Sequence, residues 1–445
     1  MRPRLELRRF AHDSLYNLIR QGWTILLGLA ISILLARGLG KEMRGQYTLI
    51  MLLPETMIVL SNLGIAAATV YFVGHGDYAP IHAFRNNIAI SVWLSAASIG
   101  LGIVFVYLTS NWLFQDVDRR YLLLSLISVP IILLVAALNA IHQGIQDFKR
   151  FNLIGMISQF LLLVFVFIGV WWLRGRIIGA MAAYIGANLV TLVILVRLLW
   201  QKLGSNVKLS VRPEKDYIQK LFSYGAITHV GNIITFLNYR LDNVILNYLA
   251  GPAQVGIYSI SVGLGERFWI PSSAIGAVLL PRIASLDGNE AHRTTLTPLM
   301  SRVVFWLSLI LAVVAWPIVE WVIRLLYSNE FQEAALPLRM ILPGIVFLNM
   351  ARILANDIAG RGKPLINLYL SSMALVINII ANLIFIPVWG ATGAALSSTI
   401  SYSILALLTI NSYSHITHIP WHELILIQKT DFHLIALAIE RIRRI

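Results

Sequence analysis

Gly40-Lys41-Glu42-Met43-Arg44-Gly45-Gln46-Tyr47 and Gly251-Pro252-Ala253-Gln254-Val255-Gly256-Ile257-Tyr258 share the pattern Gly-x4-Gly-x-Tyr and stand 211 positions apart. Each stretch follows a long apolar run. Further along, Asn152-Leu153 and Asn367-Leu368 are offset by 215, and Gly179-Ala180 and Gly393-Ala394 by 214. One such match is weak, but a nearly constant offset through several of them indicates an internal duplication. The sequence predicts an N-terminal lobe over 1–200, a basic linker over 201–222, a C-terminal lobe over 223–413 and a tail over 414–445.

Composition sets the class of each lobe. The chain has 445 residues, 58% hydrophobic and 13% charged, with a mean hydropathy of +0.75. A soluble protein averages about 25% charged residues. Apolar runs of span length recur from residue 14 to residue 413, each able to cross ~30 Å of hydrocarbon. Twelve spans are predicted, six in each lobe, among them 46–73 and 121–143 in the first. Because six is even, both lobes enter from the same face, which makes them parallel repeats about an axis along the membrane normal. The fold expected is an all-α polytopic membrane protein of two pseudo-symmetric six-helix lobes. The first run, 16–35, is too long for a signal-peptide core and reads as a retained anchor.

The net charge of +14 does not point to nucleic acid. Lysine and arginine concentrate in alternate loops, the positive-inside pattern, if both termini are cytoplasmic. The chain has no cysteine, so no disulfide, haem-thiolate or zinc-thiolate site is available, and no cofactor is expected. His415, His418, His422 and Glu423 are interrupted by Pro420 and do not read as a metal site. Gly360-Arg361-Gly362-Lys363-Pro364 lacks the spacing of a phosphate loop.

The chemistry lies in Asn238-Tyr239-Arg240-Leu241-Asp242, charged residues inside the apolar segment 222–249. An arginine at mid-membrane costs roughly 2.5–3.5 kcal/mol on insertion scales, so such groups face a cavity or a partner. Arg20, Arg267 and Arg352 also fall within predicted spans. Together the four suit an anion with phosphate-like geometry. Asp242 and Glu266 are candidates for ion coupling or charge balance. Residues two apart on a helix do not share a face, so Arg240 and Asp242 should meet different neighbours. Asn232 and Asn238 either line a cavity or join helices. Ser397, Ser398 and Ser401 read as small packing residues. Pro54, Pro130, Pro271, Pro317 and Pro343 are candidate kinks. From Trp421 the tail reads as an amphipathic helix on the inner membrane surface.

Several ordered segments resemble the Wzx-type oligosaccharide flippases of the multidrug/oligosaccharidyl-lipid/polysaccharide exporter superfamily. They are Arg37-Gly38-Leu39-Gly40 through Tyr47, Gln146-Asp147-Phe148-Lys149-Arg150-Phe151-Asn152, and Leu237 to Asp242 running on to Ser259. Leu280-Pro281-Arg282, Pro343-Gly344, Gly360 to Pro364, Ile386-Pro387 and Gly390 to Ala395 follow. The resemblance covers nearly the whole chain. It implies two six-helix lobes around a V-shaped cavity. It also implies export of a polyprenyl-pyrophosphate-linked oligosaccharide, with membrane lipids and other polysaccharide-assembly proteins as partners. Related lipid II flippases carry cavity arginines on their first and eighth helices, where Arg20 and Arg267 stand here. A cation or drug antiporter of the same superfamily would need an acidic cavity. A membrane glycan polymerase or ligase would want a sizeable outer loop, which the sequence lacks.

Overall fold

A computed structural model of the chain describes residues 2–203, 212–270, 272, 273, 275, 290–428 and 431. Pro271, the motif Leu280-Pro281-Arg282, residues 204–211 of the linker and most of the tail beyond Gln428 lie outside these. The first half is built from α1 (Arg2–Ser61), α2 (Ile65–His75), α3 (Pro80–Leu113), α4 (Arg119–Ser125), α5 (Ser128–Gly144), α6 (Phe148–Val166) and α7 (Arg176–Leu203). A π-helical turn, Phe167–Trp172, extends α6. The second half contains α8 (Lys215–Ala250), α9 (Pro252–Gly265), α10 (Glu290–Tyr327), α11 (Ala335–Gly360), α12 (Pro364–Thr417) and α13 (Trp421–Ile425). Three-ten turns at Glu266–Trp269 and Asn329–Ala334 extend α9 and precede α11.

Among the described residues, eight helices are long and apolar enough to cross a membrane. The chain is therefore an all-α, multi-pass membrane protein. Two of the eight, 43 and 54 residues long, exceed what one crossing needs. Both are broken by glycine: Gly40 (φ 72°, ψ 173°) and Gly390 (φ 51°, ψ −127°). Each therefore supplies two consecutive segments of spanning length.

The duplication is visible in the backbone itself. Gly251 (φ 81°, ψ 170°) repeats the conformation of Gly40, a region that side-chain-bearing residues essentially do not enter. Arg176 (φ 47°) and Gly390 (φ 51°), 214 apart, share a positive φ at the entry to the last span of each half. The same helix end is also built twice. In the first copy Ile145 N, Gln146 N and Asp147 N donate to the carbonyls of Ile141, Gln143 and His142 at 3.0, 3.0 and 2.8 Å. In the second, Arg361 N, Gly362 N and Lys363 N donate to Asp357, Ala359 and Ile358 at 2.9, 3.0 and 3.1 Å. These are the paired bonds that close a helix C-terminus through a left-handed residue, here Gln146 (φ 56°) and Gly362 (φ 74°).

The chain forms two compact units. One comprises Met1–Phe236, Asn243–Ser259 and Leu326–Glu330; the other comprises Leu237–Asp242, Ile260–Leu325 and Phe331–Ile445. Within the first, the two Gly-x4-Gly-x-Tyr stretches cross. A Cβ on Gly45 would fall 1.7 Å from the carbonyl oxygen of Pro252, and one on Gly256 would fall 1.9 Å from that of Lys41. Lys41 and Pro252 are themselves 211 apart, so the contact is reciprocal, as about a two-fold axis. Each corner is braced by a different set of bonds. At the first, Arg37 Nε donates to Leu326 O at 2.8 Å and Lys41 N to Glu330 Oε1 at 2.7 Å. Near the second, Asn247 Nδ2 donates to Leu113 O and Gln115 O at 3.1 and 3.3 Å. Glu330 thereby satisfies a backbone donor that the break at Gly40 leaves outside the helical ladder.

Three expected features differ. The span expected over 46–73 breaks at Asn62–Gly64, where Leu63 (φ 45°) and Gly64 (φ 76°) are left-handed. The span expected over 121–143 stays one apolar stretch, Arg119–Gly144, but carries a turn at Leu126–Ile127 just before Pro130, whose missing amide is accommodated in the first turn of α5. The described start of the tail is the short helix α13, after which Leu426 is extended (φ −80°, ψ 133°). In the second unit this segment is tied to α10. Arg302 reaches Asp431 through Nε–Oδ2 at 2.7 Å and Nη2–Oδ1 at 2.5 Å, and Trp306 Nε1 donates to Ile425 O at 2.8 Å.

Candidate substrate and ion site

The α8 residues Asn238, Tyr239, Arg240 and Asp242 are held in the second unit by α9, α11 and α12. Asn238 anchors the helix by donating from Nδ2 to Ser371 O at 2.9 Å. The three-ten turn at the end of α9 places Glu266 and Trp269 on one edge, since residues three apart eclipse in that geometry. That edge meets Tyr239 and Arg240. Arg240 Nη1 lies 3.2 Å from Glu266 Oε1. Trp269 and Tyr239 lie 5.0 Å apart by ring centroid, and Tyr402 meets Tyr239 edge-on at 5.9 Å. From α11, the Arg352 guanidinium sits 4.1 Å from the Trp269 centroid, and its Nη2 donates to Tyr239 Oη at 3.0 Å. Its charge is thus held by ring faces and a phenol rather than by a carboxylate, an arrangement worth about 0.5–2 kcal/mol per stacked pair.

Asp242 faces elsewhere, as its two-residue offset from Arg240 requires. It is 1% exposed. It accepts from Asn382 Nδ2 at 2.8 Å and Ser398 Oγ at 2.6 Å, and Asn382 Nδ2 also reaches Asn378 Oδ1 at 2.9 Å. Asn382 Oδ1 is buried without a hydrogen-bond partner. A buried carboxylate among neutral amides and a hydroxyl, with a spare carbonyl oxygen beside it, has the donor set for a proton or an alkali cation.

The remaining nominated residues are placed differently. Arg267 folds back on its own helix, donating from Nη1 to Gly263 O at 2.6 Å. Arg20, in the first unit, packs on α6, with its guanidinium 5.0 Å from the Phe151 ring centroid and its Cδ 3.2 Å from a Cβ built on Gly155. Both arginines carry a buried Nε–H without an acceptor, and a buried donor left unmade costs about 1–3 kcal/mol. Asn232 is exposed and belongs to the first unit. Within the second unit the structure therefore gathers Arg240, Glu266 and Arg352, sets Asp242 in its own polar nest and turns Arg267 back on its own helix; Arg20 and Asn232 belong to the first unit. Sequence reasoning passed over Trp269, Tyr402, Asn378 and Asn382. Ser398 carries a specific hydrogen bond to Asp242 as well as permitting close packing.

Helices of spanning length, an internally repeated backbone and charged residues inside apolar helices define a polytopic membrane protein with polar sites among its spans. The family model for polysaccharide biosynthesis proteins matches residues 10–287, and the model described as MatE matches residues 228–384. The chain belongs to the polysaccharide biosynthesis protein family, within the multidrug/oligosaccharidyl-lipid/polysaccharide exporter superfamily. It is 24% identical over 407 residues to a Shigella flexneri protein assigned as an O-antigen transporter, covering 89% of this chain and 96% of that one. It is 21% identical over 396 residues to an uncharacterized membrane protein of Methanocaldococcus jannaschii, covering 87% of this chain and 94% of that one. Among solved structures, an inward-facing multidrug transporter of the MATE family superposes with a TM-score of 0.76 at 15% identity, over 89% of this chain and 94% of that one. The lipid II flippase MurJ in an inward closed conformation gives 0.74 at 13% identity, over 92% and 89%. At those identities the likeness concerns the fold.

Proposed function

We propose that this protein moves a polyprenyl-pyrophosphate-linked oligosaccharide from the inner to the outer leaflet of the cytoplasmic membrane, by alternating access, for assembly of a cell-surface polysaccharide. Its termini are then cytoplasmic, and it is a transporter rather than an enzyme. The observation that carries the reading is the state of the arginines. Arg352 is held by ring faces and a phenol rather than by a carboxylate. A pyrophosphate supplies the charge it lacks, and Arg20 and Arg267 are assigned to the substrate on the resemblance to the flippases. Arg240, already paired with Glu266, is assigned to substrate as the group whose partner changes when the anion enters. Asn238 positions it. Asn232, exposed, is assigned to the sugars.

Glu266 serves charge balance, and Asp242 is the candidate for coupling to a proton or sodium ion. Coupling is not required for direction. A negative interior favours outward movement of an anion by about 2.3 kcal/mol per charge per 100 mV across the full field. The test is restoration of surface glycan in a flippase-deficient strain. The wild-type chain restores it, while Arg240→Ala and Arg267→Ala insert normally and do not. Normal export from both variants would sink the docking assignment.

A further inference from the structure

The lipid-facing side of α3 carries Leu101, Val104, Leu108 and Trp112, which are 56%, 57%, 72% and 51% exposed. Their spacing of three, four and four residues keeps them on one helix face. On a helix of this length and hydropathy, such a face meets acyl chains rather than water. The stripe ends beside a cleft of about 450 Å³ between the end of α3 and the start of α4, lined by Tyr107, Ser110, Asn111, Asp118, Arg119 and Arg120 among others. Arg119 is held rigidly there. Its Nε donates to Ser110 Oγ and its Nη2 to Asn111 Oδ1, each at 3.0 Å, and its guanidinium lies 5.2 Å from the centroid of the Tyr107 ring. All three partners are neutral, so the charge is oriented but not compensated by them. The single acid of the cleft, Asp118, is occupied in accepting from Arg120 N at 2.8 Å. Two guanidinium groups and one carboxylate leave the cleft cationic.

We propose that this cleft binds the phosphodiester of an anionic phospholipid, whose acyl chains lie along Leu101, Val104 and Leu108. A guanidinium fixed in the wall of the cleft matches a phosphate oxyanion, and an exposed tyrosine and tryptophan beside it suit the headgroup level of a bilayer. Continuity with the apolar stripe selects a lipid over a free phosphate. None of the arginines assigned to the transported substrate lines the cleft, so the site stands whether or not the transport reading holds.

The test is native mass spectrometry of the purified full chain. It is titrated with phosphatidylglycerol, with phosphatidylcholine of the same acyl chains, and with inorganic phosphate as competitor. The wild-type chain retains phosphatidylglycerol at least tenfold better than phosphatidylcholine. Arg119→Gln removes that preference, and Arg120→Gln reduces it without touching the hydrogen bonds to Ser110 and Asn111. Leu108→Asn weakens retention of both lipids and keeps the preference. Arg174→Gln with Arg176→Gln, a second arginine pair at a turn, leaves it unchanged. Equal retention of the two lipids by the wild type overturns the proposal. So does a preference surviving in both Arg119→Gln and Arg120→Gln, or displacement of the lipid by millimolar phosphate, which would make the cleft a free-anion site.

Discussion

Gly45 and Gly256 hold equivalent positions in the two halves and press against each other. A Cβ on Gly45 would stand 2.9 Å from Gly256 N, and one on Gly256 would stand 3.2 Å from Gly45 N. The pseudo-symmetry of the chain passes between two alpha carbons that have no room for a side chain.

The first prediction follows directly. Gly45→Ala forces a methyl group into backbone and should destabilise the protein by roughly 1–3 kcal/mol, the usual range for overpacking. Gly256→Ala should cost as much. Gly100, in α3 with nothing within 4 Å of a Cβ, is the control; its alanine variant should be neutral or gain about 0.5–1 kcal/mol from reduced backbone freedom. Thermal unfolding of the purified variants separates the two classes. A Gly45→Ala protein as stable as Gly100→Ala would contradict the crossing.

The tether of the tail to α10 is the second. Arg302 and Asp431 are 6% exposed at their side chains, and removing one partner from such a pair costs about 3–5 kcal/mol because the other charge stays buried. Asp431→Ala should therefore lower the unfolding temperature more than Arg302→Met with Asp431→Leu together. Burial alone would raise the Asp431 pKa. The Arg302 and Gln428 hydrogen bonds, with the Arg302 charge, outweigh it and hold the group below its ordinary value. A depressed folded-state pKa means the contribution is complete above the unfolded carboxylate value of about 3.9 and is lost as pH falls below it. This pair should make stability no more pH-dependent near neutrality and make it fall in acid, a limb that Asp431→Asn removes.

Stacking at Arg352 gives the third. Lysine keeps the charge but not the planar face that lies on Trp269 or the fixed donor to Tyr239. Arg352→Lys should reduce glycan export about tenfold, the equivalent of ~1.4 kcal/mol, and Arg352→Ala should reduce it further. Full export by the lysine variant in the complementation assay would show that charge alone suffices.

Asp242 supplies the fourth. If its nest takes a cation, sodium should raise the unfolding temperature of the wild type relative to choline at equal ionic strength, and Asp242→Asn should abolish that difference. If the carboxylate takes a proton instead, the sodium effect is absent, and export should depend on pH in the wild type but not in Asp242→Asn.

Much of this was legible in the residues, and what was not has physical causes. Hydropathy located the spans because lipid demands a length of apolar helix, and the repeat exposed the duplication. The break at Leu63–Gly64 and the turn before Pro130 were harder, since a hydropathy window averages over a local turn. The charges at 240, 266 and 352 announced themselves by their cost. Trp269, Tyr402, Asn378 and Asn382 did not, because aromatic and amide side chains are common in membrane helices and only the helix phase decides which of them meet. Trp269 could have been suspected from its three-residue spacing to Glu266, but only if the turn were known to be three-ten.

The repeat also permits a comparison of the two copies position by position. At the 211-residue offset, Glu266 corresponds to Glu55, but Arg240 corresponds to Leu29, Asp242 to Ile31 and Arg267 to Thr56. The copies share the corner at Gly40 and Gly251 and the glutamates at 55 and 266, while Arg240, Asp242 and Arg267 have uncharged counterparts. One architecture, drawn twice, thus carries two different charge patterns, and the second half is the specialised one at these positions. Exchanging Leu29 and Arg240 between copies would ask whether that specialisation can be reversed.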